Sequence, residues 1–190
     1  MMAHNPEDGP ERNQSSDSLA LLLAAVSLVF PVSVYYIGGG MGAGVAFPLF
    51  RYQQTYLGAS LITLWRDIDL VTSGAITGRS ALVPFFWLGG FLLCCGALGC
   101  AYWYFRHQAQ KCRIYSGVCL MAGAAAYLGG IIAQYGFSFA GSSGFSVPVG
   151  PVVLFIAGWF VASGFPGVIR EPDEEDASGV ASPLDVPEKE

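Results

Sequence analysis

The chain has 190 residues, of which 53% are hydrophobic and only 12% charged, and its mean hydropathy is +0.50. Soluble domains carry about 25% charged residues, so half that share excludes a surface wetted on all sides. The net charge of −5 collects at the ends, with five charges in residues 1–17 and ten in residues 170–190, and no basic patch offers itself to nucleic acid.

Long internal stretches carry no charge at all. A bilayer imposes that distribution, because a charge at its centre costs at least about 2.5 kcal/mol. Residues 1–17 are polar and acidic, which predicts a disordered tail. Glu7, Asp8 and Glu11 beside a lone Arg12 are not the positive opening of a secretory signal, so the apolar stretch that follows reads as a retained helix.

The first predicted span covers residues 18–37, about the 20 residues needed to cross a ~30 Å hydrocarbon core, with Pro31 expected to kink it. A second span is predicted over residues 81–105, with Pro84 tolerated in its first turn. A third is predicted over 114–134. A fourth is predicted over 147–167, opening on Pro148 and Pro151. Tyr35, Tyr36, Trp87, Tyr102, Tyr115 and Tyr135 gather near the boundaries, as headgroup-level aromatic belts do. The expected fold class is therefore an all-α membrane protein, four transmembrane helices in a bundle.

Between the first two spans lies an outer loop, residues 38–80, opening on the glycine run Gly38 to Gly44. Leu61, Leu64, Trp65, Ile68 and Val71 fall at helical spacing, which predicts an amphipathic helix over residues 61–71. The threonine, isoleucine and tyrosine content also permits a small β-hairpin. Arg106, Lys111 and Arg113 crowd the inner loop, residues 106–113. With four spans they join Arg12, Arg170 and Lys189 on one side, against Arg51, Arg66 and Arg79 on the other. The larger cluster predicts both termini in the cytoplasm of a multi-pass plasma-membrane protein. A short outer loop (residues 135–146) precedes the last span, and residues 168–190 form a second acidic tail.

Small residues at four-residue spacing are the clearest pattern inside the spans: Ala122, Ala126 and Gly130, with Gly96 and Cys100, and Gly158 and Ala162. Such residues let helices approach closely in lipid, where no hydrophobic force separates helix from tail. They are assigned to helix packing, within the chain or between copies. Trp65, Arg66, Asp67 and Asp69 are the candidate contact residues of the outer loop. Cys100 and Cys119 should lie at similar depth near the inner end, but no CxxC spacing exists to suggest zinc. Small apolar packing is the better role for cysteine there.

No predicted span contains an Asp, Glu, Lys, Arg or His, the residues that proton relays and coupled transporters place at depth. No metalloprotease, nucleophile-elbow or phosphate-loop motif occurs. Catalytic residues, cofactors and metals are not expected. The layout resembles that of claudin-like and other tetraspan proteins in topology alone, and the paired cysteines that such outer loops carry are missing here. The resemblance implies a contact or organising role. The expected function is a non-enzymatic structural or accessory membrane subunit, whose partners are the lipid bilayer and other membrane proteins or itself. The alternative is a small channel or transporter subunit forming a pore as a homo-oligomer, with Gly38 to Gly44 and Pro31 letting backbone line a cavity.

Overall fold

A computed structural model describes residues 14–107, 109–141 and 144–164, with side chains from Ser18 onward. The two acidic tails lie almost wholly outside these residues. Helix α1 spans Gln14–Val26. The chain continues in irregular turns, with the Ser27 N–H donating to the Leu23 carbonyl (3.1 Å) and the Phe30 N–H to the Val26 carbonyl (2.9 Å). Pro31 then keeps the turns from resuming as helix, because it has no N–H to donate and disfavours helical geometry in the residue before it. The β-branched and aromatic run beyond it forms strand β1, Ser33–Ile37.

Three further strands follow: β2 Gly42–Ala46, β3 Phe50–Thr55 and β4 Gly58–Thr63. Gly39 and Gly40, with φ of 71° and 70°, make the β1–β2 turn, a conformation that costs glycine nothing. The chain then forms α2, Leu64–Thr72, whose N-cap Thr63 accepts the Arg66 N–H through its hydroxyl. A tight turn over Gly78–Leu82 leads into α3, Val83–His107, and α4 is Gln110–Tyr135. Strands β5, Ala140–Gly141, and β6, Gly144–Val147, precede α5, Val149–Ser163. The strands form one antiparallel sheet in the order β4-β3-β2-β1-β6-β5.

The expected all-α bundle of four transmembrane helices is therefore wrong. The described residues form a six-stranded antiparallel sheet with five α-helices. Among the described residues only two helical stretches, Gly78–His107 and Gln110–Tyr135, are long and apolar enough to cross a membrane. α5 has 15 residues and α1 has 13, short of the ~20 that a span needs. The first run fails at Pro31, beyond which the last five residues of the predicted span, Ser33–Ile37, become a strand. The predicted outer loop also holds two strand hairpins as well as a helix, and the glycine run is a turn followed by a strand.

The helices pack as α1 on α3, α3 on α4 and α4 on α5. Where α3 meets α4, a Cβ on Gly90 would lie 2.8 Å from the Tyr127 ring and one on Gly123 would lie 3.2 Å from Cys94 Sγ. Ser116 Oγ donates to the Ala97 carbonyl across the same seam (2.9 Å). Where α4 meets α5 the backbones nearly touch, and a Cβ on Gly117 would lie 2.5 Å from the Gly158 carbonyl oxygen. The sheet is tied to this bundle at Val32. Its N–H donates to the Ala46 carbonyl (2.7 Å), and its carbonyl accepts the Gly150 N–H (2.8 Å) at the start of α5.

Candidate functional site

The helix-packing residues divide into those at a seam and those away from one. Gly130 lies under Trp87, where an added Cβ would be 2.9 Å from the indole Cδ1, and Gly158 and Ala162 meet Gly117. Gly96 is exposed with nothing within 4 Å of an added Cβ. Cys100, Ala122 and Ala126 are only half-buried. The buried faces instead run through Gly90, Cys94, Ala97 and Ala101 on α3, and through Gly117, Leu120, Gly123 and Tyr127 on α4. Strict four-residue spacing selected rows beside these. Alternating three- and four-residue steps, the true helical repeat, select the buried rows. All five cysteines are free, and among the described residues no three His, Cys, Asp or Glu groups come together as metal ligands.

Of the outer-loop candidates, Trp65 (72% exposed), Arg66 and Asp69 face outward from α2. Asp67 turns inward, where Arg51 Nη2 on β3 donates to its Oδ1 at 2.7 Å, with the two side chains 25% and 15% exposed. Arg51, given a surface place in the loop, carries this contact. Its alternation with Tyr52 in β3 is the signal that puts it on the sheet's inner face. Beside it, the Tyr35 hydroxyl donates to Gln53 Oε1 (3.3 Å). Burial pushes the Asp67 carboxyl above the usual carboxylate range, and the Arg51 guanidinium offsets this only in part. Burial likewise raises the Tyr35 hydroxyl.

A cavity of about 20 Å³ lies between the inner face, the start of α3 and the end of α4, lined among others by Ser33, Tyr35, Arg51, Trp87 and Gln134. It is large enough for one water, and Arg51 Nε and Trp87 Nε1 are buried donors without a hydrogen-bond partner among the described residues. This nest clamps α2 and the helix ends to the sheet. Asp67 is engaged by Arg51, and no histidine lines the cavity.

The opposite face of the sheet is of another kind. In the strand register Leu61, Tyr52, Val45, Val34 and Val147 form one row across five strands. Ala59, Gln54, Ala43, Tyr36, Phe145 and Ala140 form the next, across all six. Tyr36 and Phe145 stack with centroids 4.7 Å apart. Neither row contains a charge, and Leu61 is 60% exposed. Gly42 and Gly44, which the pore alternative left free to line a cavity, are paired to both β1 and β3. No protein-family model matches the chain, and no curated protein matches it in sequence.

Proposed function

We propose that the protein is a non-enzymatic structural or accessory membrane subunit that binds other membrane proteins, or copies of itself, through the outer face of its sheet. The observation that carries this reading is the pair of uncharged rows. An antiparallel sheet with one packed face ordinarily turns polar residues outward to water, and contiguous exposed apolar surface marks a place of contact.

A bilayer setting agrees with the helices. α3 and α4 have 25 and 26 residues, about 37–39 Å of helix each. Leu92, Val118, Phe155, Ile156 and Trp159 are exposed around the bundle, a perimeter suited to lipid. The end of α3 carries Arg106 and the start of α4 carries Lys111, and the Arg113 guanidinium packs against Gly164 at the end of α5. The positive-inside rule puts that end in the cytoplasm, and with it the start of α1 and the end of α5. The sheet then stands on the outer side of the plasma membrane.

The test is purification from the native host in mild detergent, through a C-terminal tag, followed by native mass spectrometry. A second protein in fixed ratio, or a defined homo-oligomer, supports the reading. A bare monomer at every protein concentration, with no partner captured by crosslinking in intact membranes, would sink it.

A further inference from the structure

We infer that the cavity between the sheet's inner face, the start of α3 and the end of α4 is a binding site for a small monovalent anion of the halide class, held by Arg51 Nε and Trp87 Nε1.

Both atoms are buried N–H donors with no hydrogen-bond partner among the described residues, and both residues line the cavity. Trp87 as a whole is only 8% exposed. Beside the indole, α4 places Gly130, which has no side chain to accept; an added Cβ there would lie 3.0 Å from Nε1. A buried donor left without an acceptor is destabilising, and here two stand on one small wall. What both lack is an acceptor.

Size narrows the choice. A cavity needs about 10–15 Å³ to admit one water-sized body, and this one offers about 20 Å³. That admits a monoatomic ion and leaves no room for sulfate, phosphate or an organic acid. Next to it lies a more open recess of about 60 Å³, lined also by Ser80, with Arg51, Asp67 and Gln134 common to both hollows. The recess is the ion's way in.

Between a halide and a water the decision turns on hydrogens. A water accepting from both donors must still place two hydrogens of its own, and Asp67 Oδ1 is already taken by Arg51 Nη2 at 2.7 Å. A halide only accepts. The guanidinium charge favours it, since charge-assisted bonds are roughly twice as strong as neutral ones. Ala46, Leu64 and Ile131 complete the wall with apolar surface, which lowers the local dielectric and strengthens the contact.

Asp67 is the group that opposes an anion, and it gives the site a pH dependence. Burial already lifts its carboxyl above the usual range, against the pull of Arg51. An entering anion favours the protonated form further, so by reciprocity the anion binds better as pH falls. The other ionisable groups on the wall are Arg51 from β3, Tyr35 from β1 and Tyr135 from α4, and neither arginine nor tyrosine titrates in the acid range. Arg66 and Asp69, on α2 itself, face outward, and α3 adds only Val83, Pro84 and Trp87.

The test is thermal unfolding of the full chain in mild detergent, in sodium chloride or bromide against sodium gluconate of equal concentration. Above the dissociation constant, each tenfold increase in halide should raise Tm by about 3–5 °C for a chain of this size, with no such rise in gluconate. The rise should be larger at about pH 5 than at about pH 8. Trp87→Phe removes the donor and keeps an aromatic ring, and it should abolish the halide-dependent rise whatever it does to Tm in gluconate. Crystals of the unaltered chain soaked in bromide should show an anomalous peak in the cavity, a readout that needs no variant. Equal Tm in halide and gluconate, a halide effect untouched by Trp87→Phe, or a cavity holding water only in the bromide crystals overturns the inference. The contact reading of the sheet's outer face stands or falls separately.

Discussion

Ala43 and Gly44 are neighbours in β2 and face opposite ways. Gly44 is buried, with the Tyr35 ring lying where its side chain would be and the Tyr52 carbonyl 2.7 Å from the same point. Ala43 is half-buried in an uncharged row on the other face. The inner face collects the polar groups: Ser33, Tyr35, Arg51, Gln53 and Ser146. It answers most of them, through the Arg51–Asp67 pair and the Tyr35–Gln53 bond. Soluble antiparallel sheets put the greasy side in and the polar side out. Here polarity is folded inward, where it positions helices, and apolar surface is left outward, where it waits for something else to cover it. The difference teaches that the chain's own stability resides on one face, with the other free to serve contact.

Substitutions on the two faces should therefore differ sharply in what they cost. Gly44→Ala should be the most damaging, by about 3 kcal/mol or more, the upper end of overpacking penalties. Its Cβ meets backbone as well as the Tyr35 ring. Thermal unfolding in detergent followed by circular dichroism measures it, and a loss below about 1 kcal/mol would mean the ring does not hold its place. Arg51→Ala should cost less, about 1–3 kcal/mol, because Asp67 is left partly buried and unpaired but retains some access to water. Replacing both, with Arg51→Met and Asp67→Leu, should recover most of that loss. A double variant as weak as the single one would show that the pair contributes more than mutual neutralisation.

A pH series should register the same pair more gently. The folded pKa of Asp67 is raised, so its contribution to stability is fully present below the ordinary carboxylate pKa and is lost as pH rises through the raised value. Stability should decline over that window in the unaltered chain, and Asp67→Asn should flatten the decline. An unchanged slope would assign the pH dependence elsewhere. The smallest effect belongs to the outer side. Leu57→Ser, at the 82% exposed tip of the β3–β4 hairpin, should move monomer stability by less than about 0.5 kcal/mol. A larger loss would mean that the tip packs on its own chain.

What the sequence made legible followed the range over which each interaction acts. The two long apolar runs that became α3 and α4 needed only length and composition, and both were visible. Residues 18–37 mislead because hydropathy is blind to backbone type: Val34, Tyr35, Tyr36 and Ile37 are as apolar in a strand as in a helix, and Pro31 separates helix from strand where the spacing predicts only a kink. The helix at Leu64–Thr72 showed in its periodicity, while Leu61, placed on the same helix, belongs to β4. Arg51 could not be matched to Asp67 by inspection, because their meeting depends on β3 and α2 coming together. Gly130, Gly158 and Ala162 stand at helix seams as the spacing suggests, while Gly117 and Gly123 declare themselves only once the crossing of α3, α4 and α5 is known.

Val32 has a consequence for the order in which the molecule is made. Its carbonyl waits for the Gly150 N–H, and β1 beyond it waits for β6, so elements from opposite ends of the described chain must meet before the sheet is whole. As the ribosome delivers β1, β2, β3 and β4 first, the growing sheet ends at β1 with a row of unsatisfied backbone groups through the whole synthesis of α3 and α4. Contacts of such long sequence separation form late, and an unpaired strand edge invites wrong partners meanwhile. The short strand β6 therefore does more than lead into α5: its arrival shuts the edge that β1 leaves open in a newborn chain.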